Sequence, residues 1–309
     1  MAVDILCMGE PMLEFNQLPP DAQGRVLYLQ GHGGDTSNAA IAAARQGVRT
    51  GYITVIGEDA AGDSFMTLWQ SEGVDTSTVI RTAEAPTGVY FVTHDAKGHH
   101  FTFYRTGSAA SRITPRDVPE AAIARARILY ASGISQAIST SAADAVFHAI
   151  AVARQHGVKV AYDTNLRLRL WPVARARAII EAAIAQSDMA FPSREDAQAM
   201  TGLSDPDAIA DHYLRLGCPL VAVKCGAEGA LLATAGGLRA RAPAHRVEAV
   251  DATGAGDTFS GAFLARIVLG DPPEAALRYA NAAAALSTTG YGAVAPIPRE
   301  AEVRALLRS

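Results

Sequence analysis

Asp251-Ala252-Thr253-Gly254-Ala255-Gly256-Asp257-Thr258-Phe259 is the stretch of this 309-residue sequence that decides the fold. It leads into a helical pattern, and its Gly-Ala-Gly run keeps large side chains away from the first turn. Unpaired backbone N–H groups and a partial positive charge at such a helix start favour an anion. Asp257 lies within that field, which predicts an ionised carboxylate beside an anion hole. The hole is expected from the amides of Gly254, Ala255 and Gly256.

A carboxylate in this position can accept a proton from a hydroxyl while the amides neutralise a phosphoryl group. The plainer alternative is a capped helix after a Gly-rich loop, and a lone Gly-x-Gly would favour it. Here Asp251 and Asp257 bracket Thr-Gly-Ala-Gly late in the chain. This bracketing favours a catalytic loop.

The composition is that of an ordinary globular protein, with 49% apolar and 19% charged residues. The net charge of −4 gives no basic field for nucleic acid or an anionic membrane. Cys7, Cys218 and Cys225 lack the spacing of a zinc site or a disulfide framework. The first residues read as a strand, without a basic or long apolar segment, so a cytoplasmic location is expected.

The chain between these features alternates between strand-like and helix-like runs, which predicts a parallel sheet covered on both faces. We expect a single domain over residues 1–309 with a doubly wound, mostly parallel α/β sheet flanked by helices. Two segments with a period of two, 12–32 and 86–106, fall outside the alternation and are expected to form a small β-sheet lid. The predicted strands are 4–8, 51–56, 128–131, 158–162, 189–191 and 220–224, with a hairpin at 231–241. The predicted helices are 39–46, 60–72, 115–125, 140–155, 174–185, 193–201, 205–216, 274–288 and 299–307.

Ligands in such sheets bind beyond the carboxyl ends of the strands. Neither a Walker A sequence nor a GxGxxG sequence occurs in the chain. A P-loop NTPase and a dinucleotide-binding Rossmann domain are therefore disfavoured, and a nucleotide would have to bind through other loops.

The 251–259 stretch resembles the second signature of the ribokinase-like (PfkB) carbohydrate kinases. This resemblance implies a sugar kinase in which Asp257 is the base and the amides of residues 254–256 form the anion hole. It also implies ATP and Mg²⁺ as cofactors and leaves a requirement for K⁺ open. Ala252 departs from the threonine that is commoner in the family.

Residues 223–230 resemble the K-x-G-x-x-G turn that lies against ATP in this family, and Asn281 matches a residue near the adenine. The plainer alternative for Asn281 is a satisfied polar side chain in an Ala-rich helix. The family's N-x-x-E motif is read as Pro192-Ser193-Arg194-Glu195, so that Glu195 alone would carry the magnesium-water role. The resemblance thus places these residues on the nucleotide side: Asn165, Ser193, Lys224, Gly226, Glu228, Gly229 and Asn281.

Tyr90, Tyr104, Arg105 and Arg167 are candidates for binding an acidic sugar, because arginine pairs with a carboxylate and tyrosine adds a rigid hydroxyl. Each could instead be a packing residue or a solvated charge. Together with Trp171-Pro172 and the neighbouring sequence, they resemble 2-keto-3-deoxygluconate kinases. That subfamily implies sugar contacts from Gly34, Asn38 and Asp251, and a further polar contact within 288–292.

The expected reaction is the ATP-dependent phosphorylation of 2-keto-3-deoxygluconate at O6. Two alternatives stay open: a kinase of the same family for the galactonate epimer, fructose or a related ketose, and a sugar-acid or nucleotide sensor without catalysis. The expected partners are a small sugar acid and ATP, with neither nucleic acid nor membrane. The exposed edge of the lid favours a homo-oligomer formed through the lid.

Overall fold

The structure is a computed structural model that describes residues 3–95 and 98–308. Strands and helices alternate along most of the chain, as the sequence predicts. In chain order the strands are β1 (Ile5–Met8), β2 (Met12–Leu18), β3 (Leu27–Gly33), β4 (Thr50–Gly57), β5 (Val79–Thr82), β6 (Gly88–Asp95), β7 (Gly98–Tyr104), β8 (Ile128–Ser132), β9 (Lys159–Asp163), β10 (Met189–Phe191), β11 (Leu220–Lys224), β12 (Ala230–Thr234) and β13 (Arg239–Ala242).

The helices begin and end near their predicted bounds in most cases. They are α1 (Asp35–Arg45), α2 (Ala60–Ser71), α3 (Glu120–Ile123), α4 (Gly133–Ala137), α5 (Thr140–Gln155), α6 (Val173–Ile184), α7 (Arg194–Thr201), α8 (Pro206–Arg215), α9 (Ala255–Val268), α10 (Pro273–Ser287) and α11 (Glu300–Leu306). None of the helices within the described residues has the length and apolar character needed to cross a bilayer.

A nine-stranded sheet organises the fold, in the order β13-β12-β11-β10-β9-β8-β1-β4-β5. Its strands pair in parallel except for β12, which is antiparallel to both β11 and β13. Apolar layers cover both faces of the sheet. All four residues of β1 are buried, because a strand that is covered on both faces is apolar throughout and does not alternate with polar residues. The predicted doubly wound α/β fold is confirmed.

The lid is a separate four-stranded sheet in the order β3-β2-β6-β7. Its two hairpins join through parallel pairing of β2 with β6, so the two predicted lid segments form one sheet. Residues 96 and 97, between β6 and β7, lie outside the described residues.

Three local predictions were wrong. Helix α1 begins at Asp35, four residues before the predicted start, because Gly34 at φ 114° lets the chain turn into the helix directly after β3. Pro119 divides the predicted 115–125 helix into a 3₁₀ turn and the short α3. Strand β5 was missed, since it pairs only with β4 at the edge of the sheet and its four residues alternate weakly.

Candidate active site

Helices α1 and α9 begin side by side. Asn38, in the first turn of α1, donates a hydrogen bond through Nδ2 to Oδ2 of Asp257, in the first turn of α9, at 2.8 Å. Gly261 permits this close packing, because a Cβ at that position would lie 2.3 Å from the carbonyl oxygen of Ala39. The structure therefore brings the predicted sugar contact Asn38 and the predicted base Asp257 into direct contact.

The start of α9 carries free backbone donors. Gly254 caps the helix with φ 77°, a left-handed conformation that favours glycine. Among the described residues, none accepts a hydrogen bond from the amides of Gly254, Gly256 or Asp257, whereas the amide of Ala255 donates to the carbonyl of Ala252 at 3.2 Å. The predicted anion hole therefore needs a correction: Ala255 is engaged within the loop, and the amide of Asp257 is free in its place.

A lysine ammonium lies against these amides. A Cβ added at Gly256 would be 3.3 Å from Nζ of Lys224. This nitrogen also donates to Oδ2 of Asp163 at 2.6 Å, and Ser260 of α9 donates to the same oxygen at 2.9 Å. Free amides beside a fixed ammonium suit an anionic phosphoryl group. Lys224, predicted on the nucleotide side, thus lies between that side and the start of α9.

The surroundings of Asp257 shift its pKa away from the ordinary value of an aspartate. Enclosure by protein and then the negative charge of Asp35 raise the pKa of Asp257 to about 8, although the hydrogen bond from Asn38 and the charge of Lys224 act in the opposite direction. Burial and the charge of Asp35 thus oppose the field at the helix start, on which the prediction of an ionised carboxylate rests. A group with this pKa is suited to act as a base near physiological pH.

Asp35 is a buried carboxylate of α1 that sequence reasoning did not select. Its Oδ2 accepts hydrogen bonds from Oγ of Ser132 and from Nδ2 of Asn165, the latter at 2.9 Å, while its Oδ1 has no partner. Burial raises the pKa of Asp35. Asn165 has a positive φ of 28°, and its side chain lies with this cluster. The prediction placed Asn165 on the nucleotide side, whereas its contact in the structure is to an acid beside the base.

The two lid tyrosines point in opposite directions. Tyr90 pairs with Phe103 across β6 and β7, and Val89 pairs with Tyr104, so Tyr90 and Tyr104 lie on opposite faces of the lid. Tyr90 is 5% exposed and donates a hydrogen bond to the carboxylate of Glu14. Tyr104 is 63% exposed. The predicted grouping of both tyrosines in one site is therefore wrong, and Phe103 shares the face of Tyr90.

Tyr90 belongs to the face of the lid that looks towards Asp257. Burial and the negative charge of Glu14 raise the pKa of Tyr90, and the charges of Asp251 and Asp257 add to the effect. These charges act on the phenol only because it lies near the start of α9. Tyr90 therefore remains a candidate for binding substrate.

The charge of Arg105 is already paired. Its guanidinium forms an ion pair with the buried carboxylate of Glu10, which also accepts a hydrogen bond from Ser108 at 2.7 Å. Burial nevertheless raises the pKa of Glu10. Gly34, another predicted sugar contact, lies at the same corner, since a Cβ on it would be 2.5 Å from the carbonyl oxygen of Glu10. The prediction left out this partner of Arg105.

Arg167 is the more available guanidinium. It is exposed, and its Nη1 donates to the carbonyl of Leu166 at 2.8 Å. Within residues 3–95 and 98–308, no acidic side chain forms an ion pair with it, although its charge lowers the pKa of Asp35. Its neighbour Arg169 donates to the carbonyl of Phe101 in β7, which links this loop to the lid.

Asp251 braces the catalytic loop from within. Its Oδ1 accepts hydrogen bonds from the amide and the hydroxyl of Thr253, at 2.9 and 2.6 Å. Its Oδ2 accepts the amide of Gly292 at 2.9 Å. Both carboxylate oxygens of Asp251, a predicted sugar contact, thus accept hydrogen bonds from backbone amides. The 288–292 loop, where a further polar contact was expected, supports Asp251, since the carbonyl of Thr288 also accepts the amides of Val250 and Asp251.

The acid predicted for the magnesium shell needs a correction. Glu195 is exposed, whereas Asp196 is half-buried and accepts hydrogen bonds from the hydroxyl of Thr164 and the amide of Leu166. Ser193 caps α7 by accepting the amide of Asp196. Counted from Ser193, the same four-residue spacing ends at Asp196. Burial raises the pKa of Asp196, and Lys224 opposes this shift.

The remaining predicted nucleotide contacts surround the turn after β11. Gly229 is required there, because a Cβ would lie 2.0 Å from the carbonyl oxygen of Ala242, whereas Gly226 faces open space. Glu228 forms an exposed ion pair with Arg194, with Nη2 and Oε2 at 2.9 Å. Asn281 donates to the carbonyl of Pro243 at 2.7 Å. Its side chain thus follows the plainer alternative in the ligand-free protein.

The acids of the described residues do not by themselves form a metal site. Among residues 3–95 and 98–308, no group of three or more histidine, cysteine, aspartate or glutamate side chains could hold a metal by itself. Mg²⁺ commonly keeps several waters and binds through substrate phosphates with one or two carboxylates. Asp196, beside Lys224, is the acid that could take that part.

Sequence reasoning missed five acids: Glu10, Glu14, Asp35, Asp163 and Asp196. A sequence signal existed for most of them. Asp163 ends the parallel strand β9, Glu10 lies two residues after the end of β1, and Asp35 follows the Gly33-Gly34 pair. Their burial, however, depends on contacts between distant segments, which the sequence does not display.

Comparisons with known proteins bear on the family and the fold of the chain. Residues 4–300 match a family model described as pfkB family carbohydrate kinase. The 2-dehydro-3-deoxygluconokinase of Thermoproteus tenax is 36% identical over 97% of this chain and 93% of that protein. Fructokinase-1 of Oryza sativa subsp. japonica is 33% identical over 99% of this chain and 98% of that protein. The similar identities leave the choice of sugar open.

A solved structure extends the likeness to the whole fold. A putative ribokinase II from E. coli, in complex with ATP and Mg²⁺, has a TM-score of 0.90 and 26% identity, and the match covers 99% of each chain. The α/β sheet and the additional four-stranded sheet are therefore features of a known enzyme fold.

Proposed function

The chain belongs to the pfkB family of carbohydrate kinases, and from that premise we propose that it phosphorylates 2-keto-3-deoxygluconate at O6 with ATP. It is a phosphotransferase with an alcohol acceptor. The observation that carries the reaction is the carboxylate of Asp257 beside the free amides of Gly254 and Gly256. We treat the chain as one kinase domain with a lid from 12–32 and 86–106.

In the proposed reaction, Asp257 accepts the proton of the attacking hydroxyl, and Asn38 orients that carboxylate through its hydrogen bond. The amides of Gly254, Gly256 and Asp257 and the ammonium of Lys224 neutralise the transferring phosphoryl group. Mg²⁺ would offset the charge of the nucleotide phosphates. A monovalent cation such as K⁺ is part of the proposal only as a condition to be varied in the assay.

Arg167 supports an acidic sugar. Its exposed guanidinium has no ion-pair partner among the described residues and can present paired donors to a carboxylate. The name of the Thermoproteus tenax relative points to the same substrate, because 2-dehydro-3-deoxygluconate is the 2-keto acid. We propose Tyr90 and Gly34 as further sugar contacts, with Arg105 acting only if the sugar displaces it from Glu10.

A neutral ketose is the second candidate. The pairing of Arg105 with Glu10 removes one of the two arginines that were expected to attract an acid. The rice relative is named a fructokinase at similar identity. The galactonate epimer of the sugar acid is a third substrate to compare, whereas the presence of Asp257 beside free amides disfavours a sensor without catalysis.

Release of ADP in the presence of each sugar tests the proposal. The same protein is assayed under the same conditions with three sugars: 2-keto-3-deoxygluconate, its galactonate epimer and fructose. The proposal expects the highest kcat/KM for the gluconate-derived acid and a product phosphorylated at O6. A higher kcat/KM for fructose would replace the proposed substrate and leave the kinase reaction intact.

The lid also supports the proposed homo-oligomer. Strands β3 and β7 are its edges, and Leu27, Tyr28, Leu29 and Tyr104 are exposed on it. Exposed strand edges and apolar patches favour association. Sedimentation velocity should give a mass above that of a monomer, and substitution of Tyr28 by aspartate should lower it. A monomer at all concentrations tested would remove this part of the proposal.

A further inference from the structure

Asp163 connects several elements of the fold through one buried carboxylate. Its side chain is 1% exposed and lies at the carboxyl end of β9. Its Oδ2 accepts hydrogen bonds from Lys224 of β11, from Ser260 of α9 and, at 3.4 Å, from the hydroxyl of Tyr130 of β8. Its Oδ1 accepts the amide of Asn165 at 3.1 Å. With this many donors the carboxylate is fixed in position.

Several acidic side chains surround Lys224. Its positive charge also acts on Asp257 and Asp196, where it opposes part of the rise in pKa that burial causes. Neither of these acids accepts a hydrogen bond from Lys224 in the structure, whereas Asp163 accepts one at 2.6 Å. A lysine ammonium sits on a flexible stem and can move between nearby acids. The fixed position of Asp163 therefore decides where this charge lies.

That position has two consequences. The ammonium lies beside Gly256, where it adds a positive charge next to the free amides of α9. It is also kept from pairing with Asp257, which would hold the carboxylate away from a sugar hydroxyl. Because both consequences favour transfer of a phosphoryl group, an acid that touches neither sugar nor nucleotide can affect the rate.

We propose that Asp163 is a positioning residue for phosphoryl transfer, which holds Lys224 against the start of α9 and away from Asp257. The inference rests on the kinase reaction but not on the identity of the sugar. Asp163 is itself buried beneath these groups, so it acts through Lys224.

A double-mutant cycle tests this role with Asp163→Asn, Lys224→Met and the combination of the two. Asparagine keeps the size of the side chain and can still accept a hydrogen bond from Ser260. We expect Asp163→Asn alone to lower kcat by about tenfold to a hundredfold, because small displacements of a positioned group are costly. The KM for the sugar should change by less than about twofold, since Asp163 is separated from it.

In the Lys224→Met background, Asp163→Asn should lower kcat by less than about twofold, since coupled residues are not additive. An equal loss in both backgrounds would overturn the proposal and leave Asp163 a structural residue. Ser260→Ala is the matched control, because it removes a hydrogen bond to the same oxygen and keeps the ion pair. It should lower kcat by much less than Asp163→Asn, and a similar loss would also count against the proposal.

Thermal unfolding checks that each variant is folded. If Asp163→Asn does not fold, Asp163→Glu takes its place in the cycle, since it keeps the charge but moves it by a methylene group, and the same two outcomes apply. The assay uses ATP and whichever sugar the wild type phosphorylates best. Failure of 2-keto-3-deoxygluconate as substrate would therefore be seen in the wild type, and failure of the Asp163 proposal only in the cycle.

Discussion

The floor and the lid of the candidate site differ in how their side chains are held. The floor comprises the first turns of α1 and α9 with the ends of β9 and β11, and its acids Asp35, Asp163 and Asp257 accept hydrogen bonds from several elements. The lid is a four-stranded sheet whose Tyr104 is largely exposed. In the 164–171 loop, Arg167 has no ion-pair partner among the described residues.

This difference suggests a division of work. Phosphoryl transfer needs groups held at fixed distances, and the floor provides them through buried contacts. We propose that the choice of sugar depends mainly on a few side chains of the lid and of the 164–171 loop, such as Tyr90 and Arg167. Related enzymes named for different sugars could then share the floor and differ around the lid.

The largest expected effect comes from the floor. Asp257→Asn removes the proposed base but keeps a polar side chain beside Asn38. We expect kcat to fall by ~10³-fold or more, since general base catalysis contributes about 10²–10⁴-fold. Binding of an ATP analogue, measured by calorimetry, should change little. Turnover close to that of the wild type would show that another group accepts the proton.

The pH dependence of kcat/KM tests the same group in the unaltered protein. Asp257 must lose its proton to act, and its pKa is raised to about 8. Activity should therefore rise with pH, by ~10-fold per unit below pH 8 for a single ionisation. A stopped assay between pH 6 and pH 9 measures it. A flat profile from pH 6 to pH 8 would mean that Asp257 is already ionised in this range.

Arg167→Ala tests the proposed role of the 164–171 loop in the choice of sugar. It should lower kcat/KM for a sugar acid by about tenfold to a hundredfold, because a hydrogen bond to a charged group contributes ~1.5–3 kcal/mol. For fructose the loss should be small. Arg169→Ala is the neighbouring control, since its guanidinium donates to a lid carbonyl. Equal losses for acidic and neutral sugars would remove Arg167 from carboxylate binding.

The smallest effect separates the two lid tyrosines. Tyr104→Phe should change kcat/KM by less than about twofold, as expected for an exposed residue on the face of the lid opposite to Tyr90. Tyr90→Phe should raise the KM for the sugar several-fold, because it removes the hydrogen bond to Glu14 on the face towards Asp257. Larger losses for Tyr104→Phe than for Tyr90→Phe would contradict the assignment of faces.

The parts of the protein that depend on local pattern could be predicted from the sequence. The alternation of strands and helices, the lid segments and the 251–259 stretch all follow from periodicity or from contiguous residues. The family resemblance rests on the same stretch. The confirmed fold and family therefore needed no knowledge of contacts between distant residues.

The features that depend on strand register or on contacts between distant residues could not be predicted from the sequence. Tyr90 and Tyr104 were placed together because the pairing between β6 and β7 was not known. Glu195 was chosen over Asp196 because a shift of one residue on a helix changes which side chain is buried. The pKa of Asp257 is raised by burial and then by the charge of Asp35, which is 222 positions away in the sequence.

One ratio tests the division between floor and lid most directly: kcat/KM for the best acidic sugar divided by that for the best neutral sugar. It is measured in the wild type, in Lys224→Met and in Arg167→Ala. We expect Lys224→Met to lower both rates and leave the ratio unchanged within about twofold, whereas Arg167→Ala should lower the ratio about tenfold or more. A ratio that moves with Lys224→Met and stays constant with Arg167→Ala would contradict the account.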